Sequence, residues 1–122
     1  MAESRVQSIA RLAASELGWR VFRNNVGVLR DDRGVPVRFG LANDSKSLNE
    51  QIKSGDLIGI QPVLITHDMV GKTIGQFVSI ECKHENWRPG EDGARGVAQL
   101  NWANLINALG GYAIFTKDGR IV

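Results

Sequence analysis

Residues 78–83, VSIECK, alternate in polarity along a stretch typical of a β-strand, and they decide the fold prediction. Ile80 and Cys82 occupy one set of alternate positions, while Glu81 and Lys83 occupy the other. Side chains alternate between the two faces of a strand. We therefore predict that Glu81 and Lys83 project together and that the Cys82 side chain faces the core. Such a pair is either an ion pair on a solvated sheet face or part of a catalytic site, and spacing alone leaves both open.

The rest of the chain divides into helices and strands on either side of this stretch. Apolar residues recur at helical spacing over 6–17, after a Ser4-x-x-Gln7 pattern that has the form of a capping box. A second helix is predicted over 94–109. The polar segment 42–55 is predicted to be a loop. The buried row of the second helix is predicted to be Ala98, Trp102, Leu105 and Leu109, and the strands are predicted at 19–22, 26–30, 35–39, 56–66, 74–84 and 112–116.

This order predicts an α/β fold in one domain, 1–122, with a mixed β-sheet flanked by helices. The chain has a net charge of +2 and a sequence pI near 9.0, which permits nucleic-acid binding without implying it. A single cysteine fits a reducing compartment. No apolar run approaches the roughly 20 residues that span a bilayer, and the N-terminus has no secretory signal pattern. We expect a cytoplasmic protein without a membrane partner.

A second acid and an amide extend the candidate site. Asp56 opens an apolar strand directly after Gly55. Two acids on neighbouring strands can bind Mg²⁺ through oxygen, and a lysine beside them can hold an attacking water. Gln99 falls beside the apolar row of the second helix, where its amide faces either the sheet or solvent. Spacing does not decide which.

A third acid is available on the first helix, at either of two positions. Glu3 stands at its start and Glu16 at the opposite border of its apolar face. Periodicity does not choose between them. If Ser4 caps the helix, Glu3 lies just outside it.

In this order and on these elements, the residues resemble the PD-(D/E)XK nuclease superfamily, and more narrowly the VRR-NUC domain, a virus-type replication-repair nuclease module. The resemblance implies a restriction-endonuclease-like fold and covers nearly the whole chain. The stretches that carry it are ESRVQ at 3–7, FRNNVG at 22–27, VRFGL at 37–41, SGDLIGI at 54–60, SIECK at 79–83, and Gln99 followed by ALGGYAIFT at 108–116.

The resemblance implies a metal-dependent endodeoxyribonuclease with Mg²⁺ as cofactor and Mn²⁺ as a substitute. Asp56 and Glu81 match the metal-binding acids, and the backbone carbonyl of Cys82 matches a further ligand. Members often have valine at the position of Cys82, so this chain departs from the pattern there. No small-molecule cofactor is implied.

The remaining catalytic positions follow from the same resemblance. Lys83 matches the catalytic lysine, Gln99 the supporting polar residue on the following helix, and Glu3 the acid at the start of the first helix. The resemblance thus favours Glu3 over Glu16.

Short stand-alone members of this family resemble junction-resolving enzymes that act as symmetric dimers. With no separate DNA-reading domain, recognition of phosphate and shape is expected to dominate. We therefore predict structure-selective cleavage of branched DNA, best a four-way (Holliday) junction, by a homodimer in a bacterial or virus-infected cell. The predicted phosphate contacts are Arg23, Lys46, Lys53, Arg88 and Arg95.

Two other functions fit the same sequence. One is a DNA-binding module that keeps this fold without cutting, although the presence of Asp56, Glu81 and Lys83 favours cleavage. The other is a small oligomerisation protein. Trp87, in the segment that follows the VSIECK strand, is the one tryptophan we consider for stacking on bases.

Overall fold

The computed structural model describes residues 2–122 as a mixed α/β chain with short strands. Within residues 2–122, no helix has the length and apolar character that crossing a bilayer requires. The chain divides into two compact units, one ending at Gly59 and the other Ile60–Val122, and each is described by itself. The elements are α1 (Glu3–Glu16), β1 (Arg20–Arg23), β2 (Gly27–Arg30), β3 (Pro36–Phe39), α2 (Lys46–Gln51), β4 (Leu57–Ile60), β5 (Val78–Cys82), α3 (Gly93–Ala108) and β6 (Tyr112–Thr116), with a 3₁₀ turn at His67–Met69.

The first helix starts earlier than the capping-box pattern predicts. Its N-cap is Ala2, which has no side chain able to cap, so Glu3 is the first helical residue. The Ser4 capping box is therefore wrong. Of the α1 residues only Ala14 is buried, and the apolar residues of the predicted buried face remain about half exposed or more.

The hairpin of the first unit is fastened by a buried asparagine. β2 and β3 pair antiparallel, with Gly27 opposite Phe39. Asn43 is 2% exposed, and its amide nitrogen donates to the carbonyls of both residues at 2.8 Å. Its side-chain oxygen accepts from Arg38 at 2.6 Å. Every polar atom of this amide thus has a partner in the structure, which is what burial requires.

The predicted loop 42–55 contains a short helix, so that prediction is wrong. Ser45 occupies the N-cap of α2 and its hydroxyl accepts from the backbone N–H of Leu48. This bond satisfies one of the N–H groups that a helix start leaves without an intrahelical partner, and it explains why a polar segment becomes helical.

The strand predicted over 56–66 ends at Ile60. Pro62 follows closely and has no N–H to donate to a strand ladder. Within its short length β4 pairs with β1. The two backbones approach so closely at Gly59 that an added Cβ would lie 1.9 Å from the Arg20 carbonyl oxygen. Only glycine fits there.

The second unit is a parallel β5–β6 pair connected by α3. Glu81 stands opposite Phe115 in the register, and the Lys83 N–H continues the ladder to the Thr116 carbonyl at 2.8 Å. The buried core consists of Ile60, Ala103, Ile106 and Ala113, with Phe77, Leu109 and Phe115 packed against it. The described strands form three two-stranded sheets, β1–β4, β2–β3 and β5–β6, where the sequence predicted one mixed sheet.

The buried row of α3 differs from the predicted one. Ala103 and Ile106 are its buried residues, while Trp102 is 37% exposed. The small Ala103 side chain allows the helix to approach the β5–β6 pair, where the bulky Trp102 would keep it away. The row through these two residues begins at Gln99, which is half-buried. Of the predicted row, Ala98 and Trp102 are exposed and therefore wrong, whereas Leu105 is half-buried and Leu109 packs against the core.

Candidate active site

Glu81 and Lys83 lie on the face of β5 that α3 covers. Their ammonium nitrogen and carboxylate oxygen Oε1 are 3.8 Å apart, which confirms that the two side chains project together. The opposite face carries Ile80 and Cys82, and both are exposed. The prediction that Cys82 points into the core is therefore wrong. On this face Gln99 of α3 provides a partner for both charges, and Ala103 and Ile106 of the same helix belong to the buried core.

A continuous chain of hydrogen bonds joins the acid, the amide and the lysine. Gln99 Nε2 donates to Glu81 Oε1 at 2.8 Å. Gln99 Oε1 accepts from Lys83 Nζ at 2.5 Å. An ammonium group only donates and a carboxylate only accepts, so an amide between them must point its oxygen at Lys83 and its nitrogen at Glu81. Gln99 therefore faces the sheet and links both charged groups.

Lys83 is held on several sides. Only 9% of its side chain is exposed. Its ammonium donates to Asp92 Oδ2 at 2.8 Å and lies 5.6 Å and 5.9 Å from the ring centres of Trp87 and Phe115. Those two rings meet edge to face, with centres 5.7 Å apart. A cation this close to aromatic faces is attracted by their quadrupoles. The lysine is thus part of a closed polar cluster and does not lie on a solvated sheet face.

Asp92 joins this cluster although no sequence pattern points to it. Its Oδ2 accepts from Lys83 Nζ and from the indole N–H of Trp87, both at 2.8 Å. The hydrogen bond from Lys83, followed by the one from Trp87, lowers the pKa of Asp92 below its ordinary value, and the charges of Lys83 and Arg95 act in the same direction. The position directly before a helix gave no signal for this role, because aspartate is common there as a cap.

Trp87 is not presented for base stacking. It is half-buried, its ring packs on Phe115 and its indole N–H donates to Asp92. The suggestion that it stacks on bases is not supported by this placement.

A cleft of about 320 Å³ opens beside the acid. Glu81 and Gln99 line it, together with Arg95, which is one of the predicted phosphate contacts. Trp102 and Phe115 form part of its apolar wall. The second unit therefore brings together an acid, an amide and an arginine around one opening, with the lysine bonded to the amide.

The first unit positions Asp56 through Asn24. Asp56 is exposed and directly precedes β4, as predicted. The backbone N–H of Asn24 donates to the Asp56 carbonyl at 2.9 Å. The Asn24 side chain donates to Ser54 Oγ at 2.7 Å and to the Gly55 carbonyl at 2.8 Å. Asn24 thus fixes the backbone leading to the acid; it lies within the FRNNVG stretch, but its spacing carries no signal of this role.

The two acids of α1 lie at its opposite ends. Glu3 lines a cleft of about 390 Å³ that also contains Arg11 and Arg23. Glu16 is the last residue of α1. At 1.5 Å of rise per residue they are roughly 20 Å apart, so they cannot serve one site interchangeably.

The five predicted phosphate contacts are all exposed. Arg23 ends β1 and Arg95 lies in the first turn of α3. Lys46 begins α2 and lies 3.9 Å from Glu50, and Lys53 donates to the Asn49 side chain at 2.7 Å. Arg88 lies in the segment between β5 and α3. Their role toward DNA stays a prediction.

The proposed metal donors are of the type that magnesium prefers. Within residues 2–122, no three or more His, Cys, Asp or Glu side chains gather into a metal-holding group. The predicted set has two carboxylates, on Asp56 and Glu81, and a carbonyl, on Cys82. Magnesium typically takes one or two carboxylates and completes its shell with water and phosphate oxygens. The Glu81 carboxylate has further acceptor positions beyond its bond with Gln99. The donor chemistry therefore fits Mg²⁺.

No family model, curated protein or solved structure matches the chain.

Proposed function

We propose that this protein is a metal-dependent endodeoxyribonuclease of the PD-(D/E)XK, VRR-NUC type, with a restriction-endonuclease-like fold. The observation that carries the proposal is the hydrogen-bonded chain from Glu81 through Gln99 to Lys83. A surface ion pair without a catalytic role would be exposed to solvent, where it contributes little to stability. Lys83 is instead shielded from water and linked to the Glu81 carboxylate through the Gln99 amide. This arrangement is expected of a lysine that takes part in catalysis.

Each residue has a distinct proposed task. The Lys83 ammonium stabilises negative charge on the scissile phosphate and orients the attacking water, since it donates hydrogen bonds and carries a positive charge. Gln99 holds this ammonium and the Glu81 carboxylate in a fixed position relative to each other. Asp56 and Glu81 would hold the cation, with the Cys82 carbonyl as a further ligand, and Glu3 would contribute a further acid. Bound Mg²⁺ would act as a Lewis acid on the phosphate and lower the pKa of a water.

The proposed substrate is branched DNA, with a four-way junction as the leading case. Phosphate contacts from Arg23, Lys46, Lys53, Arg88 and Arg95 would favour recognition of backbone and shape over base sequence. Because a junction presents two equivalent strands for cleavage, the proposed form is a homodimer with one site for each strand.

Cleavage of labelled four-way junctions, flaps and linear duplexes in Mg²⁺ or Mn²⁺ tests the proposal. We expect faster cutting of the junction and no cutting in EDTA. We expect Lys83→Ala, Asp56→Asn and Glu81→Gln each to lower the cleavage rate by about a hundredfold or more while junction binding persists. Glu85→Gln serves as the control, because it removes an exposed acid from the same region.

The other outcomes point elsewhere. Equal cutting of all three substrates would defeat the junction specificity. A parent protein that binds DNA and cuts none under either metal would instead be a non-cleaving DNA-binding module. Failure to bind DNA even at low salt, where phosphate contacts are strongest, would remove DNA as the partner.

A further inference from the structure

Asp92 occupies a capping position without capping. It directly precedes α3, and aspartate at such a position ordinarily accepts a bond from a backbone N–H of the first turn. Its side chain makes no such bond. The backbone at Asp92 has φ −86° and ψ −1°, outside the extended conformation of a capping residue, and Gly93 follows with φ +59°. The helix start is therefore arranged so that this carboxylate is directed elsewhere.

The carboxylate is directed at the lysine. Its Oδ2 accepts from Lys83 Nζ and from Trp87 Nε1. A lysine ammonium is attached through a flexible chain of four carbons. A hydrogen bond to Gln99 alone would therefore not fix its position. The bond to Asp92 adds a second fixed point, and Trp87 in turn fixes Asp92.

We propose that Asp92 is a positioning residue, which holds the Lys83 ammonium beside Gln99 and Glu81 and is itself held by the indole of Trp87. This inference rests on the nuclease function proposed above. It assigns to the segment between β5 and α3 the task of positioning the lysine, where the sequence shows polar residues, turn formers and one tryptophan.

Gly96 leaves the room that this arrangement needs. A Cβ built at Gly96 would lie 3.1 Å from the Asp92 Cβ, closer than ordinary contact. Gly96 lies inside α3, where alanine is the better helix former. Gly96→Ala therefore requires the Asp92 Cβ to move by a few tenths of an ångström, without altering any charge or hydrogen-bonding group.

The first measurement is the single-turnover cleavage rate on a four-way junction. We expect Asp92→Asn to lower it by about tenfold to a hundredfold at unchanged junction affinity, because a small misplacement of a catalytic group has an effect of this order. Asp92→Glu, which restores a carboxylate, should recover part of the loss. We expect Gly96→Ala to lower the rate severalfold, whereas Gly75→Ala, whose Cβ would meet nothing within 4 Å, should match the parent.

The second measurement needs no activity. The indole ¹H–¹⁵N resonance of Trp87, recorded without DNA or metal, reports the bond to Asp92. We expect both Asp92→Asn and Lys83→Met to shift it while leaving the resonances of Trp19 and Trp102 in place. Because the Lys83 ammonium also lies 5.6 Å from the Trp87 ring centre, coupling through the carboxylate is shown when Lys83→Met shifts the resonance in the parent but not in the Asp92→Asn background.

The outcomes separate the two proposals. If the parent cuts DNA and Asp92→Asn cuts at the parental rate, the positioning role is overturned while the nuclease stands. The positioning role is also overturned if Asp92→Glu cuts as slowly as Asp92→Asn and the Trp87 resonance does not shift in Lys83→Met. A parent that cuts nothing, together with a shifted resonance, defeats the nuclease and supports the coupling of Lys83 to Trp87 by Asp92.

Discussion

At the scale of single residues, Gln99 is the group on which the candidate site depends. It connects a donor, Lys83, with an acceptor, Glu81, through the two ends of one amide. A carboxylate at this position would repel Glu81, and an apolar side chain would take this bond from Glu81 and leave Lys83 with its bond to Asp92 alone. A buried ammonium that loses a hydrogen-bond partner destabilises the fold as well as the site.

Asp92 gives the site a predictable response to acid. Its pKa is lowered in the folded protein, chiefly by the hydrogen bond from Lys83. Its carboxylate therefore stabilises the fold above the ordinary pKa of aspartate, near 4, and this contribution is lost as the pH falls through the folded value. We expect the difference in unfolding free energy between the parent and Asp92→Asn to have its largest value at pH 6 and to decrease below about pH 4.

Urea unfolding of both proteins across this pH range measures the difference. Glu85→Gln, an exposed acid of the same segment, gives the baseline. A difference between parent and Asp92→Asn that stays constant down to pH 2 would contradict the assignment.

The residues of the site differ in how far sequence could predict them. The alternation along β5 placed Glu81 and Lys83 together, because the period of a strand is fixed by its backbone. The same alternation gave the wrong face for Cys82, since the apolar side is buried only if something covers it. Asp92 was missed because its direction depends on the backbone angles at the helix start, which no spacing encodes.

At the scale of elements, the β5–α3–β6 unit explains how distant residues meet. A parallel pair needs a crossover connection, and a helix of this length returns the chain beside its starting strand. The order of helices and strands, apart from α2, followed from periodicity and turn residues. The buried row of α3 did not, because Ala103 is favoured over Trp102 by closeness of packing, which hydrophobicity does not describe. Likewise, α2 depends on one capping bond from Ser45 within a polar segment.

The β1–β4 pair makes a prediction at the same scale. Gly59→Ala would place a Cβ 1.9 Å from the Arg20 carbonyl oxygen, so the strands must separate. We expect a loss of about 3 kcal/mol or more in unfolding free energy, and a matching loss of cleavage because Asp56 directly precedes β4.

Gly55→Ala is the matched control for this substitution. Its added Cβ would meet only the Leu57 carbonyl oxygen, at 3.8 Å. Alanine there should change stability by less than about 1 kcal/mol. Urea unfolding of the two variants checks both values, and equal stability of the two would contradict the close approach of β1 and β4.

At the scale of the whole molecule, the proposed function needs one chain to act with a copy of itself. A net charge of +2 provides little general attraction to DNA. The proposed affinity for DNA must therefore come from the positions of individual arginine and lysine side chains. Leu12 of α1 and Leu17, its C-cap, are 62% and 67% exposed. A second copy would provide both a doubled set of basic residues and a second set of catalytic groups.

Mixing active and inactive subunits tests this directly. Sedimentation should give twice the chain mass of 13.4 kDa, and the parent should linearise a plasmid that carries an extruded cruciform, because both strands are cut in one encounter. Co-refolding the parent with an excess of Lys83→Ala produces dimers with one active site. These should release nicked circles from the same plasmid, since the second strand has no lysine to assist its cleavage. Linear product that falls only in proportion to the diluted parent, with no gain in nicked circles, would instead indicate that each chain cuts alone.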